Sequence, residues 1–238
     1  MRVLVVGASG ATGKLVVMQL LERKIAVRIV VREASTLPPQ LFDNPMVEIV
    51  KGSIDSFSQQ QVQLLLQDCE AAVCCLGHTM SVKGIFGKPY KLVLHAVQKI
   101  TTAMNTFAKS QQFILMSTTA YTNKKDGEKN TLGESVLFAL LKILLPPHRD
   151  NVLAANYLEY RLGESTAFSW VAVRPDTLFN EEHPSTYEVV DHIKRSPVFD
   201  AGKTSRINVA CFMAELLTDD GLWQQWKYKT PVIYNTLS

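Results

Sequence analysis

The sequence predicts an α/β fold built on a doubly wound parallel sheet, with helices on both faces of the sheet. Three observations predict it. Residues 3–6 form a continuous run of β-branched and aliphatic side chains, a glycine-rich turn follows directly, and strand and helix patterns then alternate up to residue 116. Repeated strand–helix–strand units of this kind form a parallel sheet with right-handed crossovers.

The composition is that of a globular chain with a large core. Hydrophobic residues make up 47% of the 238 residues, and the net charge is only +3. No long basic run or acidic tail occurs, so we expect no nucleic-acid partner. The longest apolar stretch, residues 135–147, contains Lys142 and is too short to cross a bilayer, so we expect no membrane association.

Cysteine usage and the N-terminus favour a cytoplasmic protein without a metal site. The cysteines show neither C-x-x-C spacing nor nearby histidine partners; they are Cys69, Cys74, Cys75 and Cys211. Two of them lie in an apolar run, which is typical of core residues in a reducing compartment. Because Met1 leads directly into the first strand pattern, we expect no targeting peptide.

The turn after the first strand carries the most specific motif. Gly7, Gly10 and Gly13 have the spacing G-x-x-G-x-x-G, and apolar residues at helical intervals follow. Strand, glycine turn and helix start are the parts of a dinucleotide-binding unit, in which a pyrophosphate lies against backbone N–H groups. The predicted cofactor-binding residues are Gly7, Ser9, Gly10, Ala11, Thr12 and Gly13; an ordinary glycine-rich turn is the alternative.

The remaining elements follow in order along the chain. Strand patterns occupy residues 26–32, 47–50, 71–76, 113–116, 170–174 and 231–234, and helical patterns occupy residues 12–23, 57–67, 90–108, 151–162 and 205–217. Residues 123–130 form a polar loop, apolar helix-like residues then run to Leu145 and stop at Pro146-Pro147, and residues 176–203 lack periodicity. We expect one Rossmann-type domain over residues 1–238, with a cofactor-binding core at 1–120 and substrate-side elements at about 122–165 and 176–238.

The end of the second strand indicates which cofactor binds. An acidic residue there binds the ribose 2′-OH of NAD, whereas an arginine pairs with the 2′-phosphate of NADP. The strand pattern ends at Arg32, so the sequence favours NADP(H) over NAD(H). Two alternatives stay open: Glu33 could turn inward, or Arg32 could be a solvated residue at a strand end.

Residues after the third and fourth strands should line the same cofactor, since ligands bind at the carboxyl ends of such strands. Ser53 and Ile54 follow the third strand, where we expect a polar contact and an apolar wall for the adenine. Leu76 and Gly77 follow the fourth strand beside the dinucleotide. His78 comes next and is a candidate for substrate contact and acid–base work, although an ordinary loop histidine is the simpler interpretation.

Three hydroxyl residues follow the fifth strand, where the nicotinamide should arrive. Ser117 is predicted to contact the cofactor, and Thr118 and Thr119 to orient a substrate carbonyl or give it a proton. The alternative is that these hydroxyl groups cap the end of the strand.

Taken together, these motifs resemble those of atypical short-chain dehydrogenase/reductases. The resemblance is to the NAD(P)H-binding group that includes NmrA-like, NADH-flavin reductase-like and biliverdin reductase B-like proteins; it rests on the glycine turn, Arg32, Gly52-Ser53-Ile54-Asp55, Ser117-Thr118-Thr119 and Val173-Arg174-Pro175. It is strongest over residues 1–120, recurs at 168–176 and is weak between 122 and 165. It implies a hydride-transfer site, adds Arg174 and Pro175 to the cofactor-binding set, and puts Thr118 or Thr119 where the family keeps an active-site serine or threonine.

One departure from the family removes the best catalytic assignment. Many short-chain dehydrogenases use a Tyr-x-x-x-Lys pair, and the nearest match here is Tyr157 with Arg161. An arginine does not replace that lysine, because its geometry differs. The candidates for proton donation are therefore Tyr121, Tyr157, His148 and Asp150. His148 and Asp150 lie between two helical patterns and are candidates for the substrate pocket, with a helix stop and an N-cap as the alternative.

The favoured function is that of an NADP-dependent oxidoreductase acting on a small carbonyl-bearing or planar substrate such as a flavin, quinone or tetrapyrrole. The alternative is an NmrA-like redox sensor that binds NADP without turnover and acts through a protein partner. An epimerase or dehydratase with tightly bound NAD is disfavoured by Arg32 and by the absent lysine. We expect a small-molecule substrate and a monomer or homodimer.

Overall fold

The computed structural model describes residues 1–32, 37–78, 90–144, 146–164 and 167–236, with the backbone alone at 141–144 and 146–148. The strands are β1 (Arg2–Val6), β2 (Ala26–Val31), β3 (Val47–Lys51), β4 (Ala71–Cys74), β5 (Gln112–Met116), β6 (Ser169–Pro175), β7 (Thr177–Phe179), β8 (Tyr187–Val190), β9 (Lys203–Ser205) and β10 (Val232–Asn235). The helices are α1 (Gly13–Glu22), α2 (Gln59–Leu66), α3 (Leu92–Met104), α4 (Leu132–Leu144), α5 (Pro146–Asn156), α6 (Arg206–Thr218) and α7 (Asp220–Trp226). A 3-10 turn lies at Pro39–Leu41, and a π-helix at Tyr157–Leu162 continues α5.

The described strands form an eight-stranded sheet in the order β3-β2-β1-β4-β5-β6-β10-β8. Neighbouring strands from β3 to β10 run parallel, and β8 pairs antiparallel with β10 at the edge. The strand order reverses between β1 and β4, which creates a crevice at the carboxyl ends of these two strands. The predicted doubly wound sheet is confirmed. Strands β7 and β9, in and next to the segment without predicted periodicity, form a separate parallel pair.

Both faces of the sheet are apolar because helices cover both. Val3 and Val5 point into a core that includes residues of α1 and α6. Leu4 and Val6 point to the other face, into a core shared with α2, α3 and α5. The predicted helix start at Ser205 is confirmed, since its hydroxyl accepts a hydrogen bond from the backbone N–H of Asn208 at 3.2 Å.

The start of α5 differs from the prediction. The sequence allows an N-cap at Asp150 or Asn151, at the start of the helical pattern over residues 151–162, but the helix begins at Pro146. Proline fits the first turn of a helix, because the N–H group that it lacks would have no partner there. Asp150 therefore lies one turn inside α5, and its carboxylate is available to another element.

The described part of the chain contains no helix that is long and apolar enough to cross a membrane. Within the same ranges, no group of three or more His, Cys, Asp or Glu side chains is arranged to hold a metal ion. The division into a cofactor-binding part and substrate-side elements stays a prediction.

Candidate cofactor site and active site

The glycine turn folds back tightly between β1, α1 and the end of β4. Gly7 has a φ of +82°, and a Cβ atom there would lie 2.6 Å from the carbonyl carbon and oxygen of Cys75. A Cβ atom on Gly13 would lie 2.1 Å from the carbonyl oxygen of Gly7. Among the residues that the structure describes, a Cβ atom on Gly10 would meet only that same oxygen, at 3.2 Å. Gly7 and Gly13 are thus required by the fold itself, whereas the fold demands much less at Gly10.

The N-terminus of α1 is open to an anion. Thr12 occupies the N-cap position without a side-chain hydrogen bond to the helix, and no acidic residue lies in the first turn. Thr12 is buried, whereas Ser9 and Ala11 are exposed at the turn. The first N–H groups of a helix lack partners within the helix, and its dipole favours negative charge at this end. These features fit the pyrophosphate of a dinucleotide.

Arg32 directly follows β2 at the same edge of the sheet. Its side chain is exposed and forms no ion pair or hydrogen bond with the residues that the structure describes. It is free to meet a phosphate group that reaches the carboxyl end of β2. Glu33, which the sequence leaves as the acidic alternative, lies outside the described residues.

The loop after β3 only partly matches its predicted role at the adenine. Ser53 is half-buried at the carboxyl edge, as a polar contact requires. Ile54 was expected to form an apolar wall, but its side chain is 2% exposed and packs into the core with Val30 and Val62. Its side chain holds the loop in place and offers the adenine little surface.

The structure brings His78 and Asp150 together although they are 72 residues apart. His78 follows β4, and its Nε2 lies 2.9 Å from Oδ2 of Asp150. The Asp150 carboxylate also accepts backbone N–H bonds from Val93 at 2.7 Å and Leu94 at 3.0 Å, in the first turn of α3. Both side chains are almost completely buried. Asp150 therefore caps α3 and fixes the imidazole, a pairing that sequence spacing could not reveal.

The neighbouring Leu76 and Gly77 lie between this pair and the glycine turn. The backbone N–H of Leu76 would lie 2.8 Å from a Cβ atom on Gly7. Gly77 is exposed, and a Cβ atom there would meet none of the described residues within 4 Å. The described part of the fold does not require glycine at position 77. The side chain of His148 lies outside the described residues.

The three hydroxyl residues after β5 differ in their surroundings. Ser117 is 6% exposed, and its Oγ has no hydrogen-bond partner among the described residues. Thr118 is half-buried, and its hydroxyl accepts a bond from the backbone N–H of Ala120 at 3.2 Å. Thr119 donates weakly to the buried carboxylate of Asp176, at 3.4 Å. Ser117 and Thr118 are therefore better placed for a ligand than Thr119, whose hydroxyl belongs to a buried cluster.

Neither candidate tyrosine is exposed at the sheet edge. Tyr121 is 1% exposed and packs against Val152 and Ala155 of α5, and its hydroxyl has no partner among the described residues. Tyr157 is the first residue of the π-helix and packs partly buried against the core. Burial leaves Tyr121 out of direct contact with bulk solvent.

Arg174 has protein partners in place of the predicted cofactor. The guanidinium is fully buried and forms two hydrogen bonds with Glu128, at 2.7 and 2.9 Å. It also donates to the backbone carbonyl oxygens of Thr230, Tyr121 and Asp191. Burial disfavours the charged carboxylate, but the hydrogen bonds and charge of Arg174 outweigh it and lower the pKa of Glu128. Arg174 thus joins three segments of the chain, and Pro175 beside it is buried.

Sequence reasoning missed Glu159 as a residue of interest. It lies in the π-helix, is 6% exposed, and its Oε2 has no hydrogen-bond partner among the described residues. Burial raises the pKa of Glu159 to about 7, although the positive charge of Arg174 opposes the shift. A signal was present, because Glu159 follows Ala155 by four residues on the apolar face of a helical pattern.

Comparison with solved structures supports the fold. An oxidoreductase, ylbE, from Lactococcus lactis shares 20% identity over 100% of this chain and 92% of its own, with a TM-score of 0.71. A wide-type short-chain dehydrogenase/reductase from Veillonella parvula, in complex with NADP, shares 16% identity over 98% and 94%, also with a TM-score of 0.71. ChuY, an anaerobilin reductase from Escherichia coli O157:H7, shares 14% identity over 100% and 99%, with a TM-score of 0.70.

Sequence comparison identifies the family. An Arabidopsis thaliana protein, described as uncharacterized and chloroplastic, is 33% identical over 76 residues, which span 32% of this chain and 27% of that protein. A family model described as NAD(P)H-binding matches residues 7–220, which begin at the first glycine of the turn. This match covers most of the chain and confirms the resemblance to the NAD(P)H-binding group. The chain therefore belongs to the NAD(P)H-binding family.

Proposed function

We propose that this protein is an NADP(H)-dependent reductase that acts on a small carbonyl-bearing or planar molecule such as a flavin, quinone or tetrapyrrole. One observation carries the proposal: the tight glycine turn and the uncapped start of α1 lie at the point where the strand order reverses. Two structural neighbours support the same proposal: the Veillonella protein was solved in complex with NADP, and ChuY is described as a reductase.

Different residues of this chain bind the different parts of the cofactor. Backbone N–H groups between Gly7 and Gly13 hold the pyrophosphate, and the Ser9 hydroxyl adds a donor. Arg32 pairs with the 2′-phosphate, since a guanidinium matches the oxygens of a phosphate group with two parallel bonds. Ser53 contacts the adenine, and Leu76 and Gly77 line the path toward the nicotinamide.

The nicotinamide supplies the hydride when the reduced cofactor is bound, and the reduced substrate then takes up one proton. Of the candidate donors, we favour His78 over Asp150 itself, because Asp150 uses its carboxylate to hold the imidazole and the start of α3. A carboxylate only accepts hydrogen bonds, so Nε2–H donates to Asp150 and sets the ring orientation, and the proton given to the substrate leaves from Nδ1 of the imidazolium, which becomes the neutral imidazole. Ser117 and Thr118 orient the substrate at the end of β5.

A regulatory protein without turnover is the second candidate, and a surface feature favours it. Leu132, Val136 and Leu140 recur every four residues along α4 and are all exposed, Leu132 by 85%. Phe199, 69% exposed, lies against Gly133 at the start of the same helix. An apolar stripe of this kind is typical of a surface that contacts another molecule. The Tyr-x-x-x-Lys pair is also missing.

Calorimetric titration with NADPH and NADH tests the proposal first, followed by NADPH oxidation assays with flavins, quinones and biliverdin. Tighter binding of NADPH than NADH, with turnover of one acceptor, supports the reductase. Tight binding without turnover across the panel supports the regulatory protein. If neither nucleotide binds, both candidates are wrong.

A further inference from the structure

The ammonium group of Lys99, in α3, donates hydrogen bonds to backbone carbonyl oxygens of the loop that follows β3. Its Nζ lies 2.6 Å from the carbonyl oxygen of Asp55, 2.7 Å from that of Phe57 and 3.4 Å from that of Ile54. Three carbonyl oxygens from a stretch of four residues thus meet one ammonium group. An ammonium has three N–H donors, so this arrangement uses the whole capacity of the side chain.

Other contacts support the same loop from α3 and from within. The side chain of Gln59 donates to the carbonyl oxygen of Lys99 at 2.9 Å, which ties the start of α2 to this point of α3. His95, one turn earlier, lies 3.7 Å from the Asp55 carboxylate. Inside the loop, the N–H and hydroxyl of Ser56 both donate to the carbonyl oxygen of Ser53, at 2.9 and 2.8 Å. The carbonyls that remain point outward to Lys99.

The loop needs such support because its conformation is tight. Gly52 has a φ of +149°, and a Cβ atom there would lie 2.4 Å from the ring of Phe57. The backbone N–H of Gly52 donates to the carbonyl oxygen of Val31, one residue before Arg32. The position of the loop is therefore linked to the end of β2, where the 2′-phosphate is proposed to bind.

We propose that Lys99 is a positioning residue for the adenine end of the cofactor: its ammonium acts as a built-in cation that holds residues 53–57 in the binding conformation without touching the cofactor. The proposal rests on the proposed function, which assigns Ser53 to the adenine. Without the ammonium, three carbonyl dipoles converge with no donor between them and repel one another. The loop then opens, and the adenine loses a preformed surface.

Substitution of Lys99→Met tests this, because methionine keeps an unbranched chain and removes the charge and the donors. We expect the affinity for NADPH and for 2′,5′-ADP, which carries the adenine end alone, to fall by a similar factor of about tenfold. The weak affinity for reduced nicotinamide mononucleotide, which lacks the adenine, should not change. Lys109→Met is the matched control, since Lys109 is exposed beyond the end of α3.

Chemical rescue separates positioning from general damage to the fold. In Lys99→Ala, n-propylammonium should restore most of the affinity for 2′,5′-ADP, and uncharged n-propanol should not. Lys99→Arg, which keeps a cation and several donors, should lose less affinity than Lys99→Met. Unchanged 2′,5′-ADP affinity in Lys99→Met, or equal loss of both nucleotide fragments without rescue, would overturn the inference. If the parent protein itself binds no NADPH, the proposed function fails instead.

Discussion

The carboxylate of Asp150 lies 2.9 Å from the imidazole of His78 and joins α5 to the end of β4. It also takes the first free N–H groups of α3, so that one side chain holds three elements at the edge where the cofactor is proposed to bind. Asp150 is buried, and each of these bonds therefore forms without competition from water. The site and the fold depend on the same side chain.

Substitution of Asp150→Asn should separate these two roles. The amide keeps the size of the side chain. It places an NH2 group against one of the three groups that donate to Asp150, which are the imidazole of His78 and the backbone N–H groups of Val93 and Leu94. We expect NADPH oxidation to slow by about 10²-fold, within the usual effect of a general acid, while NADPH affinity stays within about twofold. His78→Gln should cost about the same, and the double variant no more than either single one, because the two residues act as a unit.

The control for this pair is Asp68→Asn, an exposed carboxylate after α2. If the double variant loses activity by the product of the two single losses, His78 and Asp150 act independently.

The role of Asp150 in stability can be measured without a substrate. Asp150→Ala leaves two buried backbone N–H groups and the imidazole without their acceptor, so we expect the free energy of unfolding to fall by about 2–4 kcal/mol.

The glycine turn predicts different outcomes at two of its positions. Gly13→Ala puts a Cβ atom 2.1 Å from a backbone oxygen, a contact that the turn can relieve only by moving α1 away from β1. We expect a loss of roughly 3 kcal/mol or more in the free energy of unfolding. Gly10→Ala meets the same oxygen at 3.2 Å, so it should unfold within about 1 kcal/mol of the parent.

Position 10, which matters little for stability, should matter most for cofactor binding. In Gly10→Val, branched methyl groups occupy the surface over which the pyrophosphate is proposed to lie, and calorimetry should detect no NADPH binding to a protein that is still folded. Circular dichroism provides the check on folding. Normal NADPH affinity in Gly10→Val would place the phosphates elsewhere.

Arg32→Asp tests the choice between the two nucleotides. The exposed guanidinium is replaced by a carboxylate that repels a 2′-phosphate and accepts a hydrogen bond from a 2′-OH. We expect the ratio of NADPH to NADH affinity to fall by about 10²-fold or more, mostly through weaker NADPH binding. Arg2→Asp, at the opposite end of the sheet, is the control. An unchanged ratio would remove Arg32 from the cofactor site.

The sequence predicts the sheet well because each central strand is a local run of apolar residues ended by glycine or a polar side chain. Strand order at the crevice follows from the glycine turn and the right-handed crossovers. The partners of Asp150 and Arg174 could not be predicted, because their contacts join residues tens of positions apart. Ile54 shows a second limit: the sequence places it at the correct edge, but only packing decides that its side chain points into the core.

Glu159 should make the stability of the protein depend on pH in a direction unusual for a carboxylate. Its pKa is raised from 4.5 to about 7 by burial, so between these values the folded state holds a proton that the unfolded state has released. Stability is therefore highest at acidic pH within this window and falls as the pH rises toward 7. The ionised side chain then lies buried beside Arg174, which already donates to Glu128.

Glu159→Gln removes this titration and keeps the shape of the side chain. We expect the variant to match the parent at pH 5 within about 0.5 kcal/mol, and to exceed it at pH 8 by about 1–3 kcal/mol, because only the parent ionises a buried group. Urea unfolding at both pH values measures the difference. Glu164→Gln, exposed near the end of the π-helix, serves as the control and should show the same change in stability between pH 5 and pH 8 as the parent. A variant that is less stable than the parent at pH 8 would contradict this prediction. It would show that attraction to Arg174 stabilises the ionised Glu159 carboxylate by more than its burial destabilises it.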